Sequence, residues 1–369
     1  MLQYFQQIFS EEAISMPNHA TTRPANPGRL DAIDVAKGIG ILFVVFAHVN
    51  YTPELLVLIY SFHMPLFFVL SGMLFRKDRY PNFRTFLTRR FWTLIVPYLL
   101  FSILSLVWRY GSEQQFPELF PTSCAEYIGY FTQIFLAQGS HPVLNTPLWF
   151  VPCLFAVEIL YFWISKLDLR AGIPLCLLLV GLGWLLESGH LNFDNTLLPW
   201  SLDSALFALG FYAFGNLARI QPTIHLLRDH RQKTRFCLGI LLLCLLIWYP
   251  YTLMNGKVTL GSKILNNGFL FYITGISGTL AILSASVLLE KSRFLRFCGR
   301  NSFYIMASHY MIRTYTLRKA YTALGKDWYD RQVLAETIVP FLIIFTLSVG
   351  FAFLCQTVTA QIRRRCSAA

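Results

Sequence analysis

Residues 34–50 read DVAKGIGILFVVFAHVN, a nearly unbroken apolar run with an acid and a base at one end and a histidine near the other. An α-helix rises about 1.5 Å per residue, so about twenty such residues cross the roughly 30 Å of hydrocarbon in a bilayer. An ionisable side chain near the middle of such a helix costs on the order of 2.5–3.5 kcal/mol and by default marks function. Lys37 and His48 are eleven residues apart, about 20° past a whole number of turns at 100° per residue, and about 16 Å apart along the axis. Asp34 falls within about 40° of His48, so one polar stripe runs along the first span. Its lower part has a bland reading, in which Lys37 reaches the headgroups and pairs with Asp34. That reading leaves out His48, which is either a packed, hydrogen-bonded core histidine or an acid–base group.

The rest of the chain repeats the apolar theme. Of 369 residues, 55% are hydrophobic and only 14% charged, against about a quarter charged in soluble domains. Long apolar runs with at most one charge recur, most plainly at 91–108, 236–254, 268–289 and 334–360, and the expected fold class is an all-α polytopic integral membrane protein. The net charge of +12 sits in short loops beside the apolar runs. This is the positive-inside pattern of a membrane protein, so no nucleic-acid partner is expected. Eight cysteines are scattered through the chain without metal-ligand or redox spacing, and read as small buried hydrophobes with no metal site. Residues 1–28 lack the basic start and apolar core of a signal peptide and read as a disordered or interfacial tail, with Met16 a second candidate start. The transmembrane domain is expected over 29–357, and a basic cytoplasmic tail over 358–369.

Loop charge orders the spans. Basic clusters occur at Arg76–Arg90, Arg219–Arg235, Lys291–Arg300 and Arg363–Arg365. Facing all of them to the cytoplasm puts both termini inside. It calls for about ten spans: 32–51, 54–75, 89–109, 147–165, 172–187, 200–218, 236–254, 268–289, 300–317 and 334–357. Of the 31 Lys and Arg, 22 then flank the cytoplasmic ends and seven lie outside. The segment 123–138 is short, contains Glu126 and would invert every later loop, so it is expected as a re-entrant or interfacial helix. No internal repeat or matching pair of broken spans of the transporter kind is evident.

Other polar residues interrupt these spans. YSFHMPLFFVLSGMLF (60–75) places His63 about two turns inside the second span. Pro65 there removes a backbone donor, and Ser71–Gly72 permit close helix approach. Glu158 lies near the middle of the fourth span, Asp203 at the outer end of the sixth, and His309 and Arg313 within the ninth. Glu158 could pair with Arg313 as a structural ion pair. Taken together, three histidines, a carboxylate and an arginine suggest a polar cavity.

Five stretches carry a resemblance: K-x10-H in the first span, FHMPLFFVLSG, FLTRRFWTLIVPY, PLWFVPCLF and GRNSFYIMASHY. In this order they resemble the membrane-bound acyltransferase-3 family over about residues 29–357, with the fucose 4-O-acetylase-like branch the nearest. The resemblance implies O-acetyl transfer from cytoplasmic acetyl-CoA to a hydroxyl of a cell-surface or lipid-linked glycan, in a bacterial inner membrane. His48 matches the family's essential histidine. Lys37 stands where arginine is usual, keeping the charge but losing the bidentate fork for phosphate. Arg89 and Arg90 match a basic pair implied to hold the CoA phosphates with Lys37. The chemistry fits: O-acetylation needs a base for the hydroxyl proton and donors for the oxyanion, and imidazole titrates near neutrality. His63, Glu158, Asp203, His309 and Arg313 are supporting candidates, and Asp34 an orienter of Lys37. The alternative is a multi-span transporter or flippase, in which the same polar residues would relay protons or bind a solute.

Overall fold

The computed structural model describes residues 31–49, 52–115, 124–137, 145–188, 198–218, 230–262, 264–324 and 334–368. The expected N-terminal tail lies outside them. Fourteen α-helices are present among the described residues, with one short antiparallel bridge between Thr259 and Ile264. Eight helical stretches are long and apolar enough to cross a membrane.

The described residues open with α1 (Asp31–Val49), then α2 (Pro53–Tyr60) and α3 (His63–Leu74). The second span is therefore two helices, not one, broken at Ser61–Phe62. Pro65 has no N–H for the Ser61 carbonyl, and Trp248 Nε1 donates to Ser61 Oγ at 2.8 Å, tying down the break. Next come α4 (Phe83–Arg90), a π-helical turn (Phe91–Ile95) and α5 (Val96–Gln115). Arg84, Arg89 and Arg90 thus stand on a helix rather than in the expected loop. Asn82 caps that helix by accepting from the Thr85 amide at 2.8 Å.

α6 (Cys124–Leu136) has 13 residues, about 20 Å of helix and too short to span. It is followed by α7 (Phe150–Ile164), α8 (Leu169–Glu187), α9 (Leu202–Ala218), α10 (His230–Asn255) and α11 (Gly268–Leu288). Then come α12 (Arg293–Arg300), α13 (Ser302–Leu324) and α14 (Leu334–Ala368). Helices occupy all ten expected span positions. Of these, α9, at 17 residues, and the polar-bearing α13 fall outside the eight that are long and apolar enough. The stretch 293–300, expected as loop, is helical because Ser292 caps it and its apolar residues Phe294, Leu295, Phe297 and Cys298 alternate with arginines at helical spacing. The basic tail is helical as well, since α14 continues to Ala368.

The span Thr146–Ile164 is 83% buried in its most apolar stretch, whereas Leu169–Glu187 and Arg231–Asn255 are only 17% buried. The first is a core helix, and the other two present leucines such as Leu178 and Leu246 outward. One apolar core gathers Phe68, Phe86, Phe162, Phe207, Phe211 and Phe271. A second forms around α1, where Ile41, Val44 and Val45 meet Ile305 and Ile344. α1 packs against α3, α11, α12, α13 and α14, and so its polar stripe lies inside the bundle.

Candidate active site

Two polar regions sit at opposite ends of α1. At its start, α12 crosses so closely that Gly38 and Gly299 each face backbone: Gly38 lies under the Leu295 carbonyl and Gly299 against that of Asp34. A Cβ at either position would collide with main chain. The crossing seats two arginines over two acids. Arg296 meets Asp31 at 2.6 Å, and Arg300 Nε donates to Asp34 at 2.9 Å. Asp34 thus holds Arg300 from a neighbouring helix. Lys37 lies one turn further along α1, partly exposed.

The basic pair of α4 divides. Arg90 Nε lies 3.0 Å from a Glu158 carboxylate oxygen, with the glutamate side chain only 3% exposed. The expected Glu158–Arg313 ion pair is not formed, because Glu158 on α7 faces α4 while Arg313 on α13 faces the end of α1. Arg89 is partly exposed on the same turn, directly before the π-helical segment. Such bulges frequently accompany functional positions.

At the other end of α1 the structure brings the three histidines together. His48 and His309 meet edge to face with ring centroids 5.1 Å apart, and His63 lies within electrostatic reach of His48. Tyr310 flanks His48 at 6.0 Å and Tyr60 flanks His63 at 4.9 Å. Arg313 Nε donates to the backbone carbonyl of His48 at 2.5 Å and its guanidinium stacks over Tyr310. Asn145 fastens α13 beside the cluster, donating to the Ala307 carbonyl at 2.7 Å and to Ser105 Oγ at 3.0 Å.

Each imidazole is held by a backbone carbonyl three or four residues before it. Nδ1 lies 2.7 Å from the Val44 carbonyl in His48, 2.9 Å from Ile59 in His63 and 2.7 Å from Met306 in His309. A carbonyl only accepts, so Nδ1 carries the proton in all three and Nε2 carries the lone pair. The residues differ in exposure: His63 is 3% and His309 0% exposed, while His48 is partly exposed. As a whole residue His48 is the most exposed of the three.

Asp203 stands apart. It caps its own turn, accepting from the Ser204 amide at 2.9 Å and from the Leu198 amide at 3.4 Å. Its buried neighbour Ser204 donates to Glu187, which is fully buried. Sequence reasoning passed over Glu187, Tyr60, Tyr310 and Asn145. Glu187 ends a span, where acids are ordinary, and tyrosines in apolar helices carry no distinguishing pattern. The one signal was adjacency, since Tyr310 follows His309 directly.

Residues 30–357 match the profile of the acyltransferase-3 family, an acyltransferase domain. The chain belongs to that family. It is accordingly a multi-pass membrane acyltransferase, an enzyme with an acyl donor and an acyl-accepting substrate. A search among curated proteins finds no match. Among the described residues no group of three or more His, Cys, Asp or Glu is arranged to hold a metal ion.

Proposed function

We propose that this enzyme is an O-acetyltransferase of a bacterial plasma membrane, moving acetyl from cytoplasmic acetyl-CoA to a hydroxyl of a cell-surface or lipid-linked glycan. Its nearest kin in this reading are the fucose 4-O-acetylase-like enzymes, and both termini lie inside. The observation that carries the chemistry is the His48 Nδ1 contact with Val44, which leaves a basic Nε2 on the most exposed of the three residues.

The sequence of bonds is short. The glycan hydroxyl oxygen attacks the thioester carbonyl as its proton passes to His48 Nε2. The tetrahedral oxyanion needs donors, and the hydroxyls of Tyr60 and Tyr310 are the neighbouring candidates. Collapse breaks the C–S bond, and the imidazolium returns the proton to the thiolate, giving CoA and the acetyl ester.

CoA is a polyanion that cannot cross lipid unaided, so its phosphates belong at the cationic start of α1. Lys37 and Arg89 are assigned to them. Arg90 is given the different task of holding α4 against α7, because its guanidinium is committed to Glu158. The offset from Lys37 to His48, about 16 Å of helix, is comparable to an extended pantetheine arm. Donor and glycan then approach from opposite faces and meet at His48.

Sealed proteoliposomes of known orientation test this reading. Labelled acetyl should reach a glycan enclosed on the opposite side from the acetyl-CoA. Transfer only when both substrates share one face would overturn the transmembrane route, and failure to consume acetyl-CoA at all would overturn the choice of donor.

A further inference from the structure

We propose that Lys257 is an acceptor-binding residue whose ammonium takes an oxyanion carried by the glycan, so that the acceptor of this enzyme is an acidic one. This deepens the reading of His48 as base and rests on it. Lys257 Nζ stands over the Tyr60 ring, 5.7 Å from its centroid. Tyr60 meets His63 edge to face at 4.9 Å and lies within electrostatic reach of Tyr310, whose ring is 6.0 Å from that of His48. A short run of aromatic neighbours thus joins the lysine to the proposed base.

The segment that carries this lysine is built to hold it there. Gly256 ends α10 at a left-handed φ of 70°, its amide donating to the Thr252 carbonyl at 3.0 Å. Lys257 is the next residue. Asn266 Nδ2 donates to the carbonyls of Asn255, at 2.6 Å, and of Lys257 itself, at 2.9 Å. The Asn267 amide donates to Asn255 Oδ1 at 2.9 Å. Val258, Leu260 and Leu265 are buried in the core that includes Trp149. The backbone at Lys257 is therefore fixed by side-chain donors and by packing, while the lysine residue is exposed. An exposed cation–π contact is weak. A charge-assisted hydrogen bond to an oxyanion is stronger, so an arriving anion can draw the ammonium off the ring.

A second cation repeats the arrangement across the cluster. Arg313, one turn along α13 from His309, stacks over Tyr310 at 5.4 Å and donates to the His48 carbonyl. Each tyrosine that flanks a histidine thus has a cation on its ring. In the proposed topology both cations lie on the outer side of the imidazoles, where the glycan arrives. Positive charge at that mouth attracts an anionic acceptor and fixes its register. Two chemistries supply the oxyanion: the carboxylate of an acidic sugar, or a phosphate joining the glycan to a lipid carrier. As a compact point charge, Lys257 serves either.

The test uses full-length enzyme in proteoliposomes. The acceptor is envelope glycan from the cell that makes the enzyme, stripped of its esters by mild alkali. Lys257→Met should raise KM for this glycan about tenfold, with kcat within about twofold and KM for acetyl-CoA unchanged. Lys257→Arg, which keeps the charge, should stay within about threefold of wild type. Chemical reduction of the sugar carboxylates in one portion of glycan, and cleavage of its phosphodiesters in another, separates the two sources. In the arm that removes the recognised anion, the wild-type KM should rise to the Lys257→Met value and the two enzymes should no longer differ. A Lys257→Met enzyme with glycan KM within about twofold of wild type overturns the proposal. So does a Lys257→Arg enzyme as impaired as Met, or a gap between wild type and Met that neither treatment closes. Failure of the parent reading looks different, since wild type would then transfer no acetyl to the stripped glycan. Co-sedimentation of that glycan with the proteoliposomes decides the matter in that case: weaker binding by Lys257→Met sustains the anion contact, and equal binding overturns it.

Discussion

The two ends of α1 solve the problem of polar groups in a bundle in opposite ways. At the start, charge contacts cross between elements: Asp31 to Arg296, Asp34 to Arg300, and Arg90 to Glu158 nearby. At the far end, each imidazole donates to a carbonyl only three or four residues back, on its own helix for His48 and His309 and across the short break for His63. Cross-element pairs hold helices to one another and leave a region rich in charge. Short-range bonds fix a ring's tautomer and aim without adding charge, which keeps a base neutral until substrate arrives. In the proposed reading one end holds an anion and the other moves a proton.

The sharpest way to break that contrast is His48→Ala. It removes the proposed basic Nε2 and leaves the backbone carbonyl that Arg313 uses, so folding should persist while kcat falls by at least about 100-fold. Measurement is acetyl transfer by protein that still elutes as a single species. Turnover of more than a few per cent would make His48 a packed core histidine.

A second test attacks the charged end through its backbone. Gly299→Ala drives a Cβ into the Asp34 carbonyl and toward the Gly38 amide, where neither partner can give way as a flexible side chain could. Overpacking of this kind costs about 1–3 kcal/mol, and the thermal midpoint in detergent should fall accordingly. An unchanged midpoint would mean that α12 can lift from α1 at no cost, and that the seat of Arg296 and Arg300 is loose.

How far the sequence carried differed between these regions for a physical reason. The helices follow from composition, which is local, and the polar stripe of α1 follows from the helical period. Tertiary partners are set by which faces meet. Nothing in the spacing distinguishes Glu158–Arg90 from Glu158–Arg313, and the side on which α7 packs decides it. Asp34 likewise bonds an arginine on a segment that charge counting treats as a loop. The break before His63 was half visible in Pro65; its anchoring by Trp248 came from a helix nearly two hundred residues on. The histidine cluster was legible as three residues the membrane should have excluded, but its tautomers were not, because they depend on which carbonyl each ring meets.

Lys37 comes next in magnitude. A point charge on phosphate is worth about 1–2 kcal/mol when partly exposed, so Lys37→Ala should raise KM for acetyl-CoA about tenfold with little change in kcat. Lys37→Arg should stay near wild type. Equal KM values in Ala and wild type would return Lys37 to the snorkelling reading and leave the donor to Arg89.

The smallest expected effect is also the control on the whole comparison. Asp31 accepts from Arg296 at 2.6 Å, but its side chain is 40% exposed and that of Arg296 25%. Water and salt screen such a pair, and exposed ion pairs typically contribute 0.2–1 kcal/mol. Asp31→Asn keeps the shape and the hydrogen-bond capacity while removing the charge, so its cost should be below about 1 kcal/mol and should shrink further as salt is raised. KM for acetyl-CoA should move less than about twofold, since Arg300 still holds Asp34 and Lys37 is untouched. The informative failure is a large fall in KM. Arg296, released from its acid, would then be adding its charge to the donor site. The ion pairs at this end would have to be read as a reserve of cations held back by Asp31, instead of as braces for α12. Measuring KM at low and high salt separates the cases, because a brace loses stability with salt at constant KM, whereas a released cation loses its gain in donor affinity.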